Sequence, residues 1–268
     1  MSTRGGYLGP VRGTSALDLP SLPSAAPYFP AAHELLTIAQ AVSLPAFVGE
    51  SFIRIHQVVR DSAVCVVPDW SGSTFAVWGG DPNDKIGAAG ESLFRLLKRS
   101  GGGTGLIVPW GSAPPTELAV GPADVAKRFR DLNRALRSRV NLGGNDLPAA
   151  LRATATRLPK LRPEQTVCVF IPTDGCEPVT QATHDAVAAL PSGSCHLILI
   201  DPLNWCTPEM EDDWRSVAFG SVMRTEDLSV RGVGTQMARL FASSLGLSLA
   251  TTPPPIRKSL LTRKKHAS

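Results

Sequence analysis

The sequence predicts a doubly wound α/β fold, in which a mostly parallel sheet is covered by helices on both faces. Apolar runs at residues 63–67, 106–108 and 166–171 show no alternation with polar residues, as expected of strands that are buried on both faces. Segments with the apolar spacing of helices separate these runs. The 268 residues suffice for one well-buried α/β core, although not necessarily for two.

Helix and strand positions follow from apolar spacing and from the residues that start or stop helices. Asp84 is a predicted N-cap and Gly101 a stop signal for a helix over residues 84–100. Residues 52–59 fit either a strand or a helix. Pro68, Pro109 and Pro172 are predicted to lie where strands leave the sheet. Further helices are predicted over residues 123–140, 147–158, 179–190 and 230–245, and further strands over 196–200 and near 221–223.

The two ends of the chain differ in composition from its middle. Residues 1–32 are rich in Pro, Ser and Gly and predict a flexible arm, and residues 251–268 predict a basic tail. Residues 33–60 are expected to form an N-terminal helix and an extension. The domain itself is expected to span residues 61–250.

Composition excludes several classes of protein. No run of about 18 apolar residues is present, so no membrane span is expected. Residues 1–20 lack the apolar block of a secretory signal. The five cysteines show no CxxC pairing, which fits a reducing cytoplasm and gives no zinc signal. We therefore expect a cytoplasmic protein.

Basic residues concentrate in two places of a chain whose net charge is only +4. In the predicted helix over residues 123–140, Lys and Arg lie away from the apolar face, as on the solvated side of an amphipathic helix. Residues 257–265 are read as a solubilising terminus. Docking of an acidic protein, nucleic acid or an anionic membrane surface is the minor alternative for both. The apolar face comprises Val125, Phe129, Leu132, Leu136 and Val140.

Two acidic residues follow buried strands and indicate a metal site. Asp69 comes after the run at residues 63–67, and Asp174 comes after the second long run. Ligands of open α/β sheets bind beyond the carboxyl ends of the strands, so both carboxylates are expected at one edge. They would repel each other without a cation. Ser71 and Ser73 add hydroxyl oxygens, and ligation by oxygen alone favours Mg²⁺, with Mn²⁺ or Ca²⁺ as alternatives.

These motifs resemble a known family. Residues 69–73 (Asp-Trp-Ser-Gly-Ser) and 173–175 (Thr-Asp-Gly) are similar to the DxSxS motif and the TDG turn of von Willebrand factor A domains, which have a Rossmann-like fold and a metal-ion-dependent adhesion site. The order of elements over residues 60–250 also fits. The family carries a metal-binding Thr in a third loop, where this sequence has Asn145. The resemblance implies Asn145 as a ligand, with Asp146 as the fallback.

The resemblance therefore implies a set of site residues and no catalytic residue. Trp70 and Trp78 are expected to contact a partner, because aromatic residues beside an open site often anchor binding; the alternative for Trp70 is packing over the sheet edge. Thr173 is expected beside the ligands. The implied metal ligands are Asp69, Ser71, Ser73, Asn145 and Asp174.

The family usually completes the coordination of its metal with an acidic side chain of a partner protein. The first hypothesis is accordingly a metal-dependent adaptor that captures a Glu or Asp, and not an enzyme. The chain resembles intracellular bacterial or phage members, which act beside ATPases and in related complexes. The competing hypotheses are a metal-dependent hydrolase or phosphoryl-transfer enzyme with Asp174 as base, and a structural subunit that assembles through its terminal arms. For an isolated DxSxS segment, a simple turn without a metal would be preferred.

Overall fold

The computed structural model describes residues 47–48, 50–75, 80–81, 83–112, 118–158, 165–200, 206–225 and 229–249. The predicted arm, the helix expected after residue 33 and the basic tail lie outside these residues.

The described part of the chain contains eight strands and eight helices. The strands are β1 (Phe47–Val48), β2 (Ser62–Val66), β3 (Thr104–Ile107), β4 (Val120–Asp124), β5 (Thr166–Thr173), β6 (Cys195–Leu199), β7 (Ser221–Arg224) and β8 (Ser248–Leu249). The helices are α1 (Phe52–Arg60), α2 (Gly72–Phe75), α3 (Lys85–Arg99), α4 (Val125–Arg137), α5 (Leu147–Arg157), α6 (Gln181–Ala188), α7 (Pro208–Ser216) and α8 (Val230–Ser244).

Six strands form one sheet in the order β4-β3-β2-β5-β6-β7. All neighbouring pairs are parallel except β3 and β4, which are antiparallel. β1 and β8 form a separate antiparallel pair. The sheet confirms the predicted doubly wound, mostly parallel α/β fold, because parallel neighbours require crossover helices that cover both faces.

The sheet separates two hydrophobic cores. Val64 and Val66 of β2 point into a core with α3, α4 and α8, whereas Cys65 points into a core with α5, α6 and α7. This alternation follows from the two-residue period of a strand. Because both sides are apolar, β2 is completely buried and shows no polar alternation in sequence.

Several element boundaries differ from the predictions. Residues 52–60 form α1, which Ser51 caps by accepting a hydrogen bond from the Arg54 amide (3.3 Å). The short edge strand β4 was not predicted, because it contains Gly and Pro, which are unusual inside strands. Helix α4 therefore begins two residues later than predicted. It also ends at Arg137, so Val140 lies outside the helix and is exposed.

Pro172 does not lie where the chain leaves the sheet. It pairs with Ile198 inside β5, which continues to Thr173. Pro172 provides no amide hydrogen, but its carbonyl accepts a hydrogen bond from the Asp69 amide (3.3 Å). The extended strand thus ties the chain after β2 directly to the end of β5. None of the described helices combines the length and the apolarity needed to cross a bilayer.

Candidate metal site

Asp69 and Asp174 lie at the same edge of the sheet. Their strands, β2 and β5, are parallel neighbours, with Val66 opposite Phe170. Asp174 directly follows β5, and Asp69 follows β2 by three residues. Both side chains are deeply buried, with exposed fractions of 1% for Asp69 and 3% for Asp174. The sheet thus brings two acidic side chains that are 105 residues apart in the sequence to one buried position.

The turn that carries the DxSxS motif places its hydroxyl groups around Asp69. Oδ1 of Asp69 accepts a hydrogen bond from the Ser71 amide (2.9 Å). The hydroxyl oxygens of Ser71 and Ser73 are 3.0 Å apart, and the Thr74 hydroxyl donates to the Ser71 carbonyl (2.9 Å). This hydrogen bonding fixes the start of α2, so that both serine oxygens lie close together at the motif.

Thr173 connects this turn to the end of β5. Its hydroxyl donates to Oδ2 of Asp69 (2.7 Å) and accepts a hydrogen bond from the Gly175 amide (3.1 Å). Both carboxylate oxygens of Asp69 therefore receive a hydrogen bond. Thr173 lies beside the predicted ligands and orients Asp69.

Asp174 has one satisfied oxygen and one that is not. Its Oδ1 accepts a hydrogen bond from the Cys176 amide (3.1 Å). Its Oδ2 is buried without a hydrogen-bond partner among the residues that the structure describes. Gly80 packs against the same side chain, since a Cβ atom at Gly80 would lie 2.6 Å from Cβ of Asp174. A buried carboxylate oxygen without a partner is costly, so this atom marks a position where a cation or donor is needed.

The charges at this position repel each other. Burial, followed by repulsion from Asp174, raises the pKa of Asp69 to about 7, although hydrogen bonds from Ser71 and Thr173 oppose this shift. A bound cation would favour the ionised form of both carboxylates. The donor set of carboxylate and hydroxyl oxygens fits a hard divalent cation. No group of three or more His, Cys, Asp or Glu suited to a metal occurs in the described ranges, so a metal here depends on the hydroxyl groups.

The third predicted loop contacts the DxSxS turn. The Leu142 amide donates to the Trp70 carbonyl (2.9 Å), and the Gly72 amide donates to the Gly143 carbonyl (2.5 Å). Asn145 follows this contact and is exposed. The structure thus brings the third loop to the DxSxS turn, and ligation of a metal by Asn145 stays a prediction.

Asp146, the fallback ligand, has a structural role. Its Oδ1 accepts a hydrogen bond from the Ala149 amide (2.9 Å) and caps the N-terminus of α5. An N-cap of this kind typically stabilises a helix by about 1 kcal/mol. The other carboxylate oxygen of Asp146, Oδ2, takes no part in this cap.

The two tryptophans predicted to contact a partner have different outcomes. Trp70 is only 2% exposed, and its amide donates to the Trp110 carbonyl (2.9 Å). Almost none of the Trp70 side chain reaches the surface, which favours the alternative of packing over the sheet edge. Contact of Trp70 with a partner stays a prediction. Trp78 lies outside the described residues.

Sequence reasoning missed a third buried carboxyl group near the site. Glu177 is 8% exposed and accepts two long hydrogen bonds (3.4 Å each) from the Leu147 amide at the start of α5. Burial is the main cause that raises the pKa of Glu177 to about 7, with repulsion from Asp69 and Asp146 adding to it. Its only sequence signal was its position three residues after Asp174, and that spacing matches no motif.

A buried ion pair near the site was also missed. The Arg139 guanidinium donates to the Thr74 carbonyl (2.7 Å) and to the Asp81 carbonyl, and lies 4.0 Å from the Asp81 carboxylate. It also stacks on Phe75, 3.9 Å from the ring centre. Asp81 is fully buried and accepts hydrogen bonds from the first amides of α3. Arg139 thereby links the end of α2 to the start of α3.

Comparison with solved structures supports the fold. The pilus adhesin SpaC from Lactobacillus rhamnosus GG superposes with a TM-score of 0.54 at 14% identity, over 69% of this chain and 30% of that chain. A von Willebrand factor type A structure from Catenulispora acidiphila gives 0.48 at 16% identity, over 69% and 43%. The manganese-loaded TRAP protein of Plasmodium vivax gives 0.46 at 15% identity, over 72% and 76%.

The similarity to SpaC concerns the fold alone, because the identity is low. The other two superpositions have TM-scores below 0.5 and carry no argument. The chain spans less than a third of the length of SpaC. No family model and no curated protein sequence matches the chain. The class that fold and site define is a doubly wound α/β domain with two buried carboxylates and several hydroxyls at the carboxyl edge of its sheet.

Proposed function

We propose that this chain is a metal-dependent protein-binding module, in which a divalent cation at the sheet edge captures a Glu or Asp of a partner protein. The observation that carries the proposal is the buried Oδ2 of Asp174, which no described residue hydrogen-bonds, beside the equally buried Asp69. Two adjacent buried carboxylates are unfavourable unless a cation balances them.

Asp69, Ser71, Ser73 and Asp174 are the residues that would hold this cation. The two carboxylates supply negative charge, and the serine hydroxyls supply neutral oxygens. Mg²⁺ takes six oxygen ligands and commonly retains several waters, so these four side chains leave positions for another ligand. Mg²⁺ is the proposed ion, with Mn²⁺ and Ca²⁺ as alternatives.

The exposed side of the site gives the direction from which a partner approaches. Asp69 and Asp174 are buried, whereas Ser73 is half-buried and Asn145 is exposed. A carboxylate that completes the coordination therefore enters on the side of Ser73 and Asn145. The resemblance to adhesion-type von Willebrand factor A domains supports binding rather than catalysis. It also supports a place in the cytoplasm of a bacterium, or among phage proteins, beside an ATPase-containing complex.

The test is affinity purification with the wild-type chain and with Asp69→Ala, in Mg²⁺ and in EDTA. The expected result is a protein retained only by the wild type in Mg²⁺, with circular dichroism confirming that the variant is folded. Asp212→Asn is the matched control, because Asp212 is exposed on α7 and forms no hydrogen bond or ion pair with a described residue of the site. Binding that persists in EDTA contradicts the proposal. Phosphoester hydrolysis that is lost in Asp69→Ala would instead favour the enzyme.

A further inference from the structure

Helix α4 carries an unusual concentration of positive charge. It contains five basic residues and one acidic residue, Asp131, so its formal charge is 5 − 1 = +4. The complete chain of 268 residues also has a net charge of +4. The rest of the chain therefore carries equal numbers of basic and acidic residues, and the net charge of the complete chain equals that of helix α4. The five basic residues are Lys127, Arg128, Arg130, Arg134 and Arg137.

Four of these residues lie on the exposed side of the helix and form a basic stripe: Lys127, Arg130, Arg134 and Arg137. Arg128 has non-helical backbone angles and kinks the helix after Lys127. Beyond the kink, Arg130, Arg134 and Arg137 follow one another at spacings of four and three residues, which places these three on one face over about 10 Å. The opposite face packs on the core through buried Leu132 and Leu136 and partly buried Phe129.

The middle of the stripe has no partner within the described part of the chain. Lys127 lies 3.9 Å from Asp124, and Arg137 lies 2.8 Å from Asp84. Arg130 and Arg134 form no ion pair with any described residue. They are also separated by four residues, and like charges at this spacing destabilise a helix. Arg130 and Arg134 therefore add no ion pair that stabilises the described fold, in contrast to Arg137, which pairs with Asp84.

The stripe leads to the metal site. Helix α4 starts directly after β4, at Asp124, which lies opposite Thr104 at the beginning of β3. It ends at the other edge of the sheet. Five residues beyond Arg137, the Leu142 amide binds the carbonyl of Trp70 inside the DxSxS motif. Most residues of the segment between Arg137 and Asp146 are exposed, so the chain that joins the basic stripe to the DxSxS turn lies at the surface.

We propose that the basic stripe is a docking surface for an acidic segment of the same protein partner whose Glu or Asp is captured at the metal site. This inference rests on the proposed function. The partner places further carboxylates opposite Arg130 and Arg134 while one carboxylate reaches the cation. Exposed charge pairs of this kind contribute modestly to affinity, and they raise the association rate and select the partner.

A protein segment fits this surface better than a nucleic acid. Asp124, Asp131 and Asp84 border the stripe and pair with basic residues at its ends and side. A regular row of phosphates would pass these carboxylates and be repelled, whereas a protein can place its acidic residues only opposite Arg130 and Arg134. The stripe is also short and one helix wide, and phosphate backbones are usually bound by wider basic surfaces.

The test compares the binding of fluorescein-labelled poly-L-glutamate to matched variants in Mg²⁺, measured by fluorescence anisotropy over a range of salt concentrations. The stripe variant is Arg130→Glu with Arg134→Glu. The control is Arg152→Glu with Arg239→Glu, which changes the charge equally at exposed residues of α5 and α8. We expect the stripe variant to bind roughly ten-fold more weakly, with a flatter salt dependence, and the control to change by less than about three-fold.

Folding does not confound this comparison. The substituted residues are exposed and form no ion pair with a described residue, and Glu at position 134 lies three residues before Arg137 on the same helical turn. Equal weakening in the stripe variant and the control overturns the inference, because net charge alone would then explain binding. So does tighter binding of double-stranded DNA than of poly-L-glutamate at the same salt concentration. A doubled mass in light scattering that the stripe variant loses would assign the stripe to a second copy of this chain, and would also overturn it.

Asp69→Ala separates this inference from the proposed function. If Asp69→Ala loses the Mg²⁺-dependent part of binding while the stripe variant binds normally, the metal proposal stands and the stripe inference fails. If the stripe variant alone weakens binding and neither Mg²⁺ nor Asp69→Ala has an effect, the proposed function fails, and joint docking fails with it. If Asp69→Ala and the stripe variant both weaken binding, and their effects depend differently on salt and on EDTA, the proposed function and the stripe inference are both supported.

Discussion

Replacing Asp174 by Asn should stabilise the metal-free protein while removing its response to Mg²⁺. Asn has nearly the same shape as Asp, so it fits beneath Gly80 and keeps an oxygen for the Cys176 amide. The substitution removes one of two buried negative charges. Residues that serve a function, such as metal binding, often lower the stability of the protein that carries them. The opposite signs of the two effects distinguish this prediction from general damage to the fold.

The size of the stabilisation follows from Asp69. Its pKa rises from 3.8 to about 7, a change of about three units, which corresponds to about 4 kcal/mol. Burial is the larger cause and repulsion from Asp174 the second. Repulsion from Asp174 is the smaller of the two raising causes, and one pKa unit corresponds to about 1.4 kcal/mol, so we expect a stabilisation on the order of 1–2 kcal/mol. For a domain of this size, that free energy raises the Tm by roughly 2–8 °C.

The assay is thermal unfolding at about pH 8, where Asp69 is ionised, in EDTA and in excess Mg²⁺. We expect wild type to gain stability in Mg²⁺ and Asp174→Asn to show a higher Tm in EDTA with no further gain. Asp212→Asn, an exposed substitution on α7, should match the wild type in both buffers. If Asp174→Asn has a lower Tm than the wild type in EDTA, or the same gain in Tm on addition of Mg²⁺, the two carboxylates do not repel each other as inferred or Asp174 does not bind the metal.

Two further predictions concern pH and packing at the same site. In EDTA, the free energy of unfolding should decrease as the pH rises from about 4 towards 7, because the folded-state pKa of Asp69 is raised and its contribution is lost above that pKa. Mg²⁺ competes with the proton for Asp69, so Mg²⁺ should stabilise the protein more at about pH 8 than at about pH 5. An Asp69→Asn variant whose free energy of unfolding keeps its full pH dependence in urea titrations would contradict the assignment to Asp69. Gly80→Ala should lower the Tm and weaken Mg²⁺ binding in calorimetry, because its Cβ would lie 2.6 Å from Cβ of Asp174. Gly234→Ala in α8, whose Cβ would meet its nearest neighbour, Cα of Ala89, at 3.8 Å, is the matched control, and equal losses in both variants would argue against a specific contact.

Much of the fold could be predicted because local patterns dominate it. The apolar run that became β2 is buried on both faces, and α3 begins after Asp84, whose side chain accepts from the Gly87 amide. These signals lie within a few residues of the elements they define. Strand β4 was missed because its Gly and Pro carry no strand signal. It forms through antiparallel pairing with β3, the preceding strand, and its own residue types do not indicate that pairing.

The candidate site was predictable only where a fold rule applied. Asp69 and Asp174 each follow a buried strand, so the carboxyl-edge rule brought them together. Glu177 and Arg139 follow no such rule. Glu177 reaches the start of α5, and Arg139 contacts Thr74 across 65 residues. Those contacts depend on how loops pack after the sheet has formed.

The amino-acid sequence was enough to predict the fold class, the positions of the major helices and two carboxylates at one edge of the sheet. Local apolar periodicity and the geometry of parallel sheets suffice for these features. The folded chain was needed to show that Trp70 is buried, that Asn145 is exposed and that Oδ2 of Asp174 lacks a hydrogen-bond partner among the described residues. The physical reason is that burial and hydrogen bonding depend on atoms contributed by distant segments, and no local pattern in the sequence specifies where those atoms meet.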